Sequence, residues 1–314
     1  MRTYFENFME EYDYPTEARA MLLSAYDKLS DENEFWMLIE NYYNYEKSLE
    51  YKCPLHGKMM EKFRKNKEVI EPLCEKLGIN SNTGFTAFFI CVSKETKDIS
   101  KKWNWTEDMY KRGMADIKCK LLEGYGHTGN WGVTVTSWIS YILDGVMNSI
   151  GRLQFFYKEH EGEDVTISGH TLKNGESYID IHIPASKESF GKEARLDAYG
   201  KACRYFSELY GKDICFFGCK SWLLFEHNHE ILDEKSNIVS FMNDFKIISS
   251  EPYENKRQEM WRIFGDEAAK GELKNLPENS SLQRSYKKWL LDGNMPGEGK
   301  GFFVYDSANR KILN

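Results

Sequence analysis

Residues 177–224 hold the pattern that most narrows the folds open to this chain. In Ser177-Tyr-Ile-Asp-Ile-His-Ile-Pro184, Ile179, Ile181 and Ile183 alternate with Tyr178, Asp180 and His182. That period-2 alternation marks a strand with one apolar and one polar face. Pro184 ends it, because proline has no amide to give to a ladder. After a polar loop, Ala185 to Gly191, the residues Ala194, Leu196, Ala198, Tyr199, Ala202, Phe206, Leu209 and Tyr210 recur at helical spacing and stop before Gly211. Ile214 to Leu224 then reads as a second strand. A strand–helix–strand unit of this length predicts a right-handed parallel crossover. Its ligand is expected at the carboxyl end of the first strand, facing the helix N-terminus.

A chain of 314 residues exceeds the size at which one core usually divides. We therefore expect a mainly helical domain over 1–125 and a second domain over 126–314, parted at the loop Gly124-Tyr-Gly-His-Thr-Gly129. With 19 Tyr, 19 Phe and 8 Trp, the core can be large. A net charge of −7 opposes a nucleic-acid partner. No apolar run reaches the ~18 residues of a spanning helix, so no membrane partner is expected. The first residues, Met1 to Phe8, lack the apolar core and cleavage site of a signal peptide. Seven scattered cysteines, an odd number without paired zinc spacing, read as free thiols of a reducing cytoplasm. His227 and His229 have no carboxylate cluster beside them, and no metal is expected. The oligomeric state is left open by the sequence.

Along the chain, the first 80 residues read as helices. Pro15 suits a first helical turn, and Ser30 a cap for a helix carrying Phe35, Trp36, Leu38, Ile39 and Tyr42. A third helix is expected from Leu55 to Leu77, kinked or broken at Pro72 and stopped at Gly78. Gly84 to Val92 reads as a buried strand that the N-terminal part can donate to the sheet. Thr106 caps a helix ending near Leu122, and another helix is expected from Val133 to Ile150. Arg152–Glu159 and Asp164–Leu172 read as a hairpin, and Asn174-Gly175 as a tight turn into the Tyr178 strand. Helical stretches follow at 229–232 and 236–244, then a strand at 246–252. Short helices are expected at 257–264 and 282–291 about a polar, mobile 265–281 segment, with a last strand at 301–305.

The order helix, helix, three antiparallel strands, helix, strand, helix, strand, strand resembles the GNAT acyltransferase fold. The segments Gly151-Arg-Leu-Gln-Phe155, Ile181-His-Ile-Pro184, Cys219-Lys-Ser-Trp-Leu-Leu224 and Ser236-Asn-Ile-Val-Ser-Phe241 are similar to those of a bacterial two-domain acyltransferase family. Its members have a helical N-acyltransferase N-terminal domain and a GNAT-like C-terminal domain. The resemblance implies a mixed α/β, GNAT-like acyl-CoA N-acyltransferase fold preceded by a mainly helical domain that covers one side of the acceptor cleft. It also implies acetyl-CoA or another acyl-CoA as co-substrate. Under it, the Tyr178–Pro184 strand pairs with the pantetheine arm, and Ile183, Pro184, Ala185, Ser186, Ser189, Gly191 and Lys192 hold the cofactor, with Lys187 as a further donor. Free amides and a helix dipole suit a pyrophosphate there. The loop departs from the Arg/Gln-x-x-Gly-x-Gly/Ala signature of GNAT enzymes: it has one glycine, Gly191, and its Glu188 and Glu193 repel phosphate.

Acyl transfer to an amine needs a base, donors for the developing oxyanion and an acid for the departing thiolate. Asp180 and His182 share a strand face, so His182 can act as base with Asp180 orienting it or working through water. The bland reading is a wet sheet face. Cys219 and Ser221 share a face of the next strand and are candidates for the acid or for lining the same cleft. Buried packing under a helix is their alternative. No tyrosine lies between Gly211 and Pro252 to serve as the acid that GNAT enzymes often carry there. Tyr178 and Asn237 are candidate substrate contacts, with a helix cap as the other reading of Asn237. Trp36, Tyr42, Tyr43 and Tyr45 can line an acceptor pocket or a partner surface, with core packing as the default. Three functions remain: transfer of an acyl group to a small amine, a non-catalytic GNAT-derived module that binds acyl-CoA or another ligand, and a hydrolase pairing Cys219 with His182.

Overall fold

The computed structural model describes residues 1–48, 56–186, 188–210 and 216–314. The expected helix start at Leu55, the donor Lys187, the stop at Gly211 and the strand start at Ile214 with Cys215 lie outside them, as do the side chains of Tyr43 and Tyr45. The chain divides into two compact units, Met1–Ile150 with Pro184–Ser186, and Gly151–Ile183 with Lys187–Asn314.

The first unit is built from helices α1 (Arg2–Glu11), α2 (Thr16–Ser30), α3 (Asn33–Ser48), α4 (His56–Leu77), α5 (Ser81–Ile99), α6 (Glu107–Thr128) and α7 (Thr136–Leu143), followed by a short strand, β1 (Met147–Ile150). Its centre is α5, which packs against each of the other six helices. The segment 84–92, expected as a strand, is the middle of this helix. A continuous apolar run of that length looks the same in a buried strand and in a helix buried on every side. Two local features decide for the helix. The Asn80 side chain caps it, accepting from the amides of Asn82 at 3.0 Å and Thr83 at 3.4 Å. Gly84 also lets α4 approach, since a Cβ there would lie 2.2 Å from Cys74 Sγ. Ser30 ends α2, where its hydroxyl donates to the Asp27 carbonyl, and does not cap α3. Pro72 lies inside α4, which runs on to Leu77, and Gly78 follows at φ +62°. The helix expected over 133–150 stops at Leu143. Gly145, at φ +70° against the Trp103 ring, turns the chain into β1.

The second unit contains β2 (Leu153–Glu159), β3 (Val165–Ile167), β4 (His170–Leu172), β5 (Ser177–His182), α8 (Lys192–Tyr210), β6 (Phe216–Ser221), α9 (Asn228–Ile231), α10 (Asn237–Met242), β7 (Lys246–Pro252), α11 (Trp261–Phe264), α12 (Asp266–Lys270), α13 (Ser281–Leu291), β8 (Gly297–Asp306) and β9 (Lys311–Leu313). Its sheet order is β2-β5-β6-β8-β7, with β9 also on β8. The expected β5–α8–β6 crossover is present and its strands are parallel. The expected hairpin of β2 with 164–172 is not. Instead β2 pairs with β5, from Gln154–His182 to Glu159–Ser177, while β3 and β4 pair with each other. Ser168 and Gly169 both take positive φ, 47° and 83°, which suits a two-residue turn too tight to leave a strand for β2. The 265–281 segment carries α12 and a 3-10 turn, and its Leu276 joins Ile231, Val239, Phe264, Tyr286 and Leu290 in a satellite core.

The two sheet faces differ. Phe155, Ile179, Ile181, Phe217 and Phe303 point toward α8, where Tyr199 packs on Phe217 and Phe303, whose rings stack at 5.0 Å. On the other face, Val165, Ile167 and Leu172 of the β3–β4 hairpin cover Tyr178, Phe216, Phe302 and Val304. Gly218 lies under that cover, and a Cβ there would come within 2.6 Å of Tyr178 and 2.7 Å of Phe302. Gly218→Ala is therefore expected to cost about 1–3 kcal/mol and to lower the thermal midpoint by several degrees. An unchanged midpoint in a calorimetric scan would contradict this packing.

Candidate active site

Among the described residues the β5–β6 pairing is short. Ladder partners are Ile179–Phe217 and Asp180–Gly218, yet β5 runs on to His182 and β6 to Ser221. Each strand keeps its outer neighbour over that stretch, β5 to Gln154 of β2 and β6 to Gly299 of β8. The two parallel strands thus cease to be ladder partners toward their carboxyl ends, the end of a parallel sheet at which ligands bind.

Asp180 and His182 stand at the mouth of this parting, on the face opposite α8. The Asp180 carboxylate is 11% exposed and the His182 ring 29% exposed, with His182 Nε2 3.4 Å from Asp180 Oδ2. Lys158 Nζ lies 3.5 Å from the same oxygen. Phe156 meets the His182 ring edge-on at 5.0 Å. A partly shielded imidazole with a carboxylate behind it and an aromatic wall beside it can hold and pass a proton.

Cys219 and Ser221 do not join this pair. Alternation along β6 turns Cys219 to the α8 face, opposite Asp180 and His182. Burial holds its thiol well above the ordinary value, with the Asp180 charge adding to it. A thiol kept protonated is a poor nucleophile, so the structure removes the Cys219–His182 hydrolase. The Ser221 hydroxyl accepts from the Leu223 amide at 3.2 Å and caps the 3-10 turn Trp222–Leu224. Tyr178 is buried in the hairpin-covered core, where it meets Phe302 at 5.1 Å; burial and the Asp180 charge raise its phenol. Asn237 is the exposed first residue of α10, and the cap is its neighbour Ser236, which accepts from the Val239 amide.

The loop after β5 lies before the N-terminus of α8. Ile183 and Pro184 are half-buried, Ala185 and Ser186 exposed, and the Ala185 carbonyl accepts from Cys119 Sγ at 3.3 Å. The Ser189 hydroxyl accepts from the Gly191 amide at 3.1 Å, and exposed Lys192 opens the helix. Exposed Glu188 and Glu193 flank the same turn. Sequence reasoning missed what holds this loop. Arg152 Nε donates to the Glu188 carbonyl at 3.2 Å, and the fully buried Arg195 donates from Nη1 to the Phe190 carbonyl at 2.8 Å. In the sequence Arg152 is one polar residue at the start of an alternating strand and Arg195 one charge on a helix, and only long-range contacts distinguish them. Among the described residues no three His, Cys, Asp or Glu side chains gather as a metal site, and no helix is long and apolar enough to cross a membrane.

Residues 147–303 match the family described as GNAT-like C-terminal domain. No curated protein matches the sequence. Among solved structures, an acyltransferase in complex with decanoyl-CoA and teicoplanin aligns with a TM-score of 0.72 at 17% identity, over 95% of this chain and 86% of that one. An acyltransferase variant in complex with octanoyl-CoA aligns equally well, over 94% and 86%. A third, an acyltransferase in complex with decanoyl-CoA, aligns at 0.61 and 18% identity over 71% of this chain, which spans just under two thirds (66%) of that chain's length. The shared feature is the fold: a helical N-terminal part followed by a mixed α/β domain.

In the folded protein at pH 8, Cys219 is expected to resist alkylation by iodoacetamide, because its thiolate forms only at far higher pH. Denatured protein should react fully, as read by peptide mass spectrometry. Rapid labelling of native Cys219 would contradict its burial.

Proposed function

This chain belongs to the GNAT-like C-terminal domain family, and from that premise we propose that it is an acyl-CoA-dependent N-acyltransferase. It moves an acetyl or similar acyl group from CoA to the amine of a small acceptor. The observation that carries this reading is the parting of β5 and β6 beyond Asp180 and Gly218. An extended pantetheine arm can lie along the strand ends where the two part. The pyrophosphate would then meet the first amides of α8 with Ser189 and Lys192 beside them.

The chemistry assigns the residues. The acceptor nitrogen attacks the thioester carbonyl carbon, a C–N bond forms, and the C–S bond breaks. His182 takes the amine proton, oriented by Asp180, whose carboxylate is itself held between His182 and Lys158. The thiolate leaves as CoA and takes up a proton from the medium. Support for the donor comes from the similar structures, which hold decanoyl-CoA or octanoyl-CoA. One of them also holds teicoplanin, which makes acceptors larger than an amino acid worth including in a screen. The described cysteines are all free thiols, which suits a cytoplasmic protein.

One observation favours a second reading, a module that binds acyl-CoA without turnover: the loop and the first turn of α8 carry a single glycine and two exposed glutamates. Calorimetric titration with acetyl-CoA, CoA and decanoyl-CoA tests what the two readings share. Micromolar binding is expected, and no detectable binding at millimolar ligand sinks both. His182→Gln and Asp180→Asn then separate them. In an enzyme each should lower kcat by roughly 10²–10⁴ with the CoA affinity within about twofold; a binding module shows no thiol release with any amine tested.

A further inference from the structure

We infer that Arg195 is a positioning residue that sets the 188–191 loop for the pyrophosphate of the donor, an inference that rests on the acyl-CoA reading above. Arg195 lies in the first turns of α8 and is fully buried. Its guanidinium uses all three nitrogens. Nε pairs with Asp244 Oδ2 at 2.8 Å, Nη2 donates to the Ser240 carbonyl at 2.9 Å and to its hydroxyl at 3.1 Å, and Nη1 donates to the Phe190 carbonyl at 2.8 Å. Asp244 is held in turn by the Tyr199 hydroxyl at 3.1 Å. The Phe190 ring lies within cation–π range of two guanidiniums, Arg195 at 5.4 Å and Arg152 at 5.5 Å, and packs on Phe241.

A buried ion pair is a weak source of stability, and apolar residues of similar volume often serve as well. What this pair supplies is direction. Arg152 draws the Glu188 carbonyl inward and Arg195 draws the Phe190 carbonyl inward. In a trans peptide the N–H lies opposite the C=O, so the Ser189 and Gly191 amides turn away from the guanidiniums. The Gly191 amide orients the Ser189 hydroxyl. A loop with one glycine, unable to fit its backbone to a phosphate by flexibility, is thereby fixed from behind. Lysine cannot copy this, because an ammonium lacks the planar fork that spans Asp244, Ser240 and Phe190 together.

The test compares octanoyl-CoA with octanoyl-pantetheine, which lacks the pyrophosphate and nucleotide, in equilibrium binding to wild type and Arg195→Lys. The expected result is a loss of roughly tenfold or more for octanoyl-CoA with octanoyl-pantetheine unchanged within about twofold. A purely structural role would weaken both ligands together or neither, and either outcome overturns the inference. If Arg195→Lys does not fold, Ser240→Ala, which removes one acceptor of the fork, should show the same selective loss at about threefold; an unchanged ratio of the two affinities overturns the inference. Wild type that binds octanoyl-pantetheine but gains nothing from the rest of CoA refutes the pyrophosphate site and this inference with it. Wild type that binds neither refutes the acyl-CoA reading itself.

Discussion

The second unit depends on β5 and β6 pairing as far as Asp180 and Gly218 and then letting go. Both strands are anchored from outside, β5 by β2 and β6 by β8, so neither needs the other to remain a strand. Upstream of the parting, the faces are locked. Tyr199 of α8 packs over the stacked Phe217 and Phe303, and the β3–β4 hairpin closes over Tyr178 and Phe302. The opening is confined to the carboxyl ends, where Asp180 and His182 stand. Parallel strands joined by a helical crossover leave their carboxyl ends and the next helix N-terminus on one side of the sheet, which is why binding and chemistry concentrate there.

The segments that carry the family resemblance hold the site more than they form it. Gly151, at φ +58°, lies just before β2, where an added Cβ would come within 3.3 Å of the Ala198 side chain of α8, and Arg152 beside it holds the Glu188 carbonyl. Ser236 caps α10, while Ser240 and Phe241 one turn later receive and cover the Arg195 guanidinium. Ser221 caps the turn that ends β6. In these segments the side chains of Arg152, Ser221 and Ser236 are hydrogen-bonding partners for backbone. Their side chains satisfy groups that the irregular turns around an open strand end would otherwise leave unpaired.

Several elements were legible because their signals are local. The alternation in β5, the helical spacing of α8, the Asn174–Gly175 turn and the stop at Gly78 each follow from residues within one turn or one strand. The misreadings arise where burial or backbone conformation overrides the local signal. Residues 84–92 are an apolar run whose period is hidden, because burial on all sides removes the polar face that would reveal it, whereas the helix over 133–150 was read too long because Gly145 turns the chain at positive φ. The pairing of β2 with β5, and not with 164–172, turned on Ser168 and Gly169 both adopting positive φ, which favours a separate hairpin.

The sequence by itself determined the parallel crossover, the placing of Asp180 and His182 on one strand face, and the loop before α8. All three follow from periodicity, proline and glycine chemistry, and chain length. Only the tertiary structure decided that Cys219 and Ser221 belong to the other side of the sheet, that Tyr178 is core, and that Arg152 and Arg195 hold the loop. Strand alternation gives relative faces within one strand, but which face of β6 matches which face of β5 depends on register. The grip of Arg195 on Phe190, Ser240 and Asp244 joins residues up to 49 positions apart, and no local pattern encodes a contact that forms only when α8 and α10 pack together.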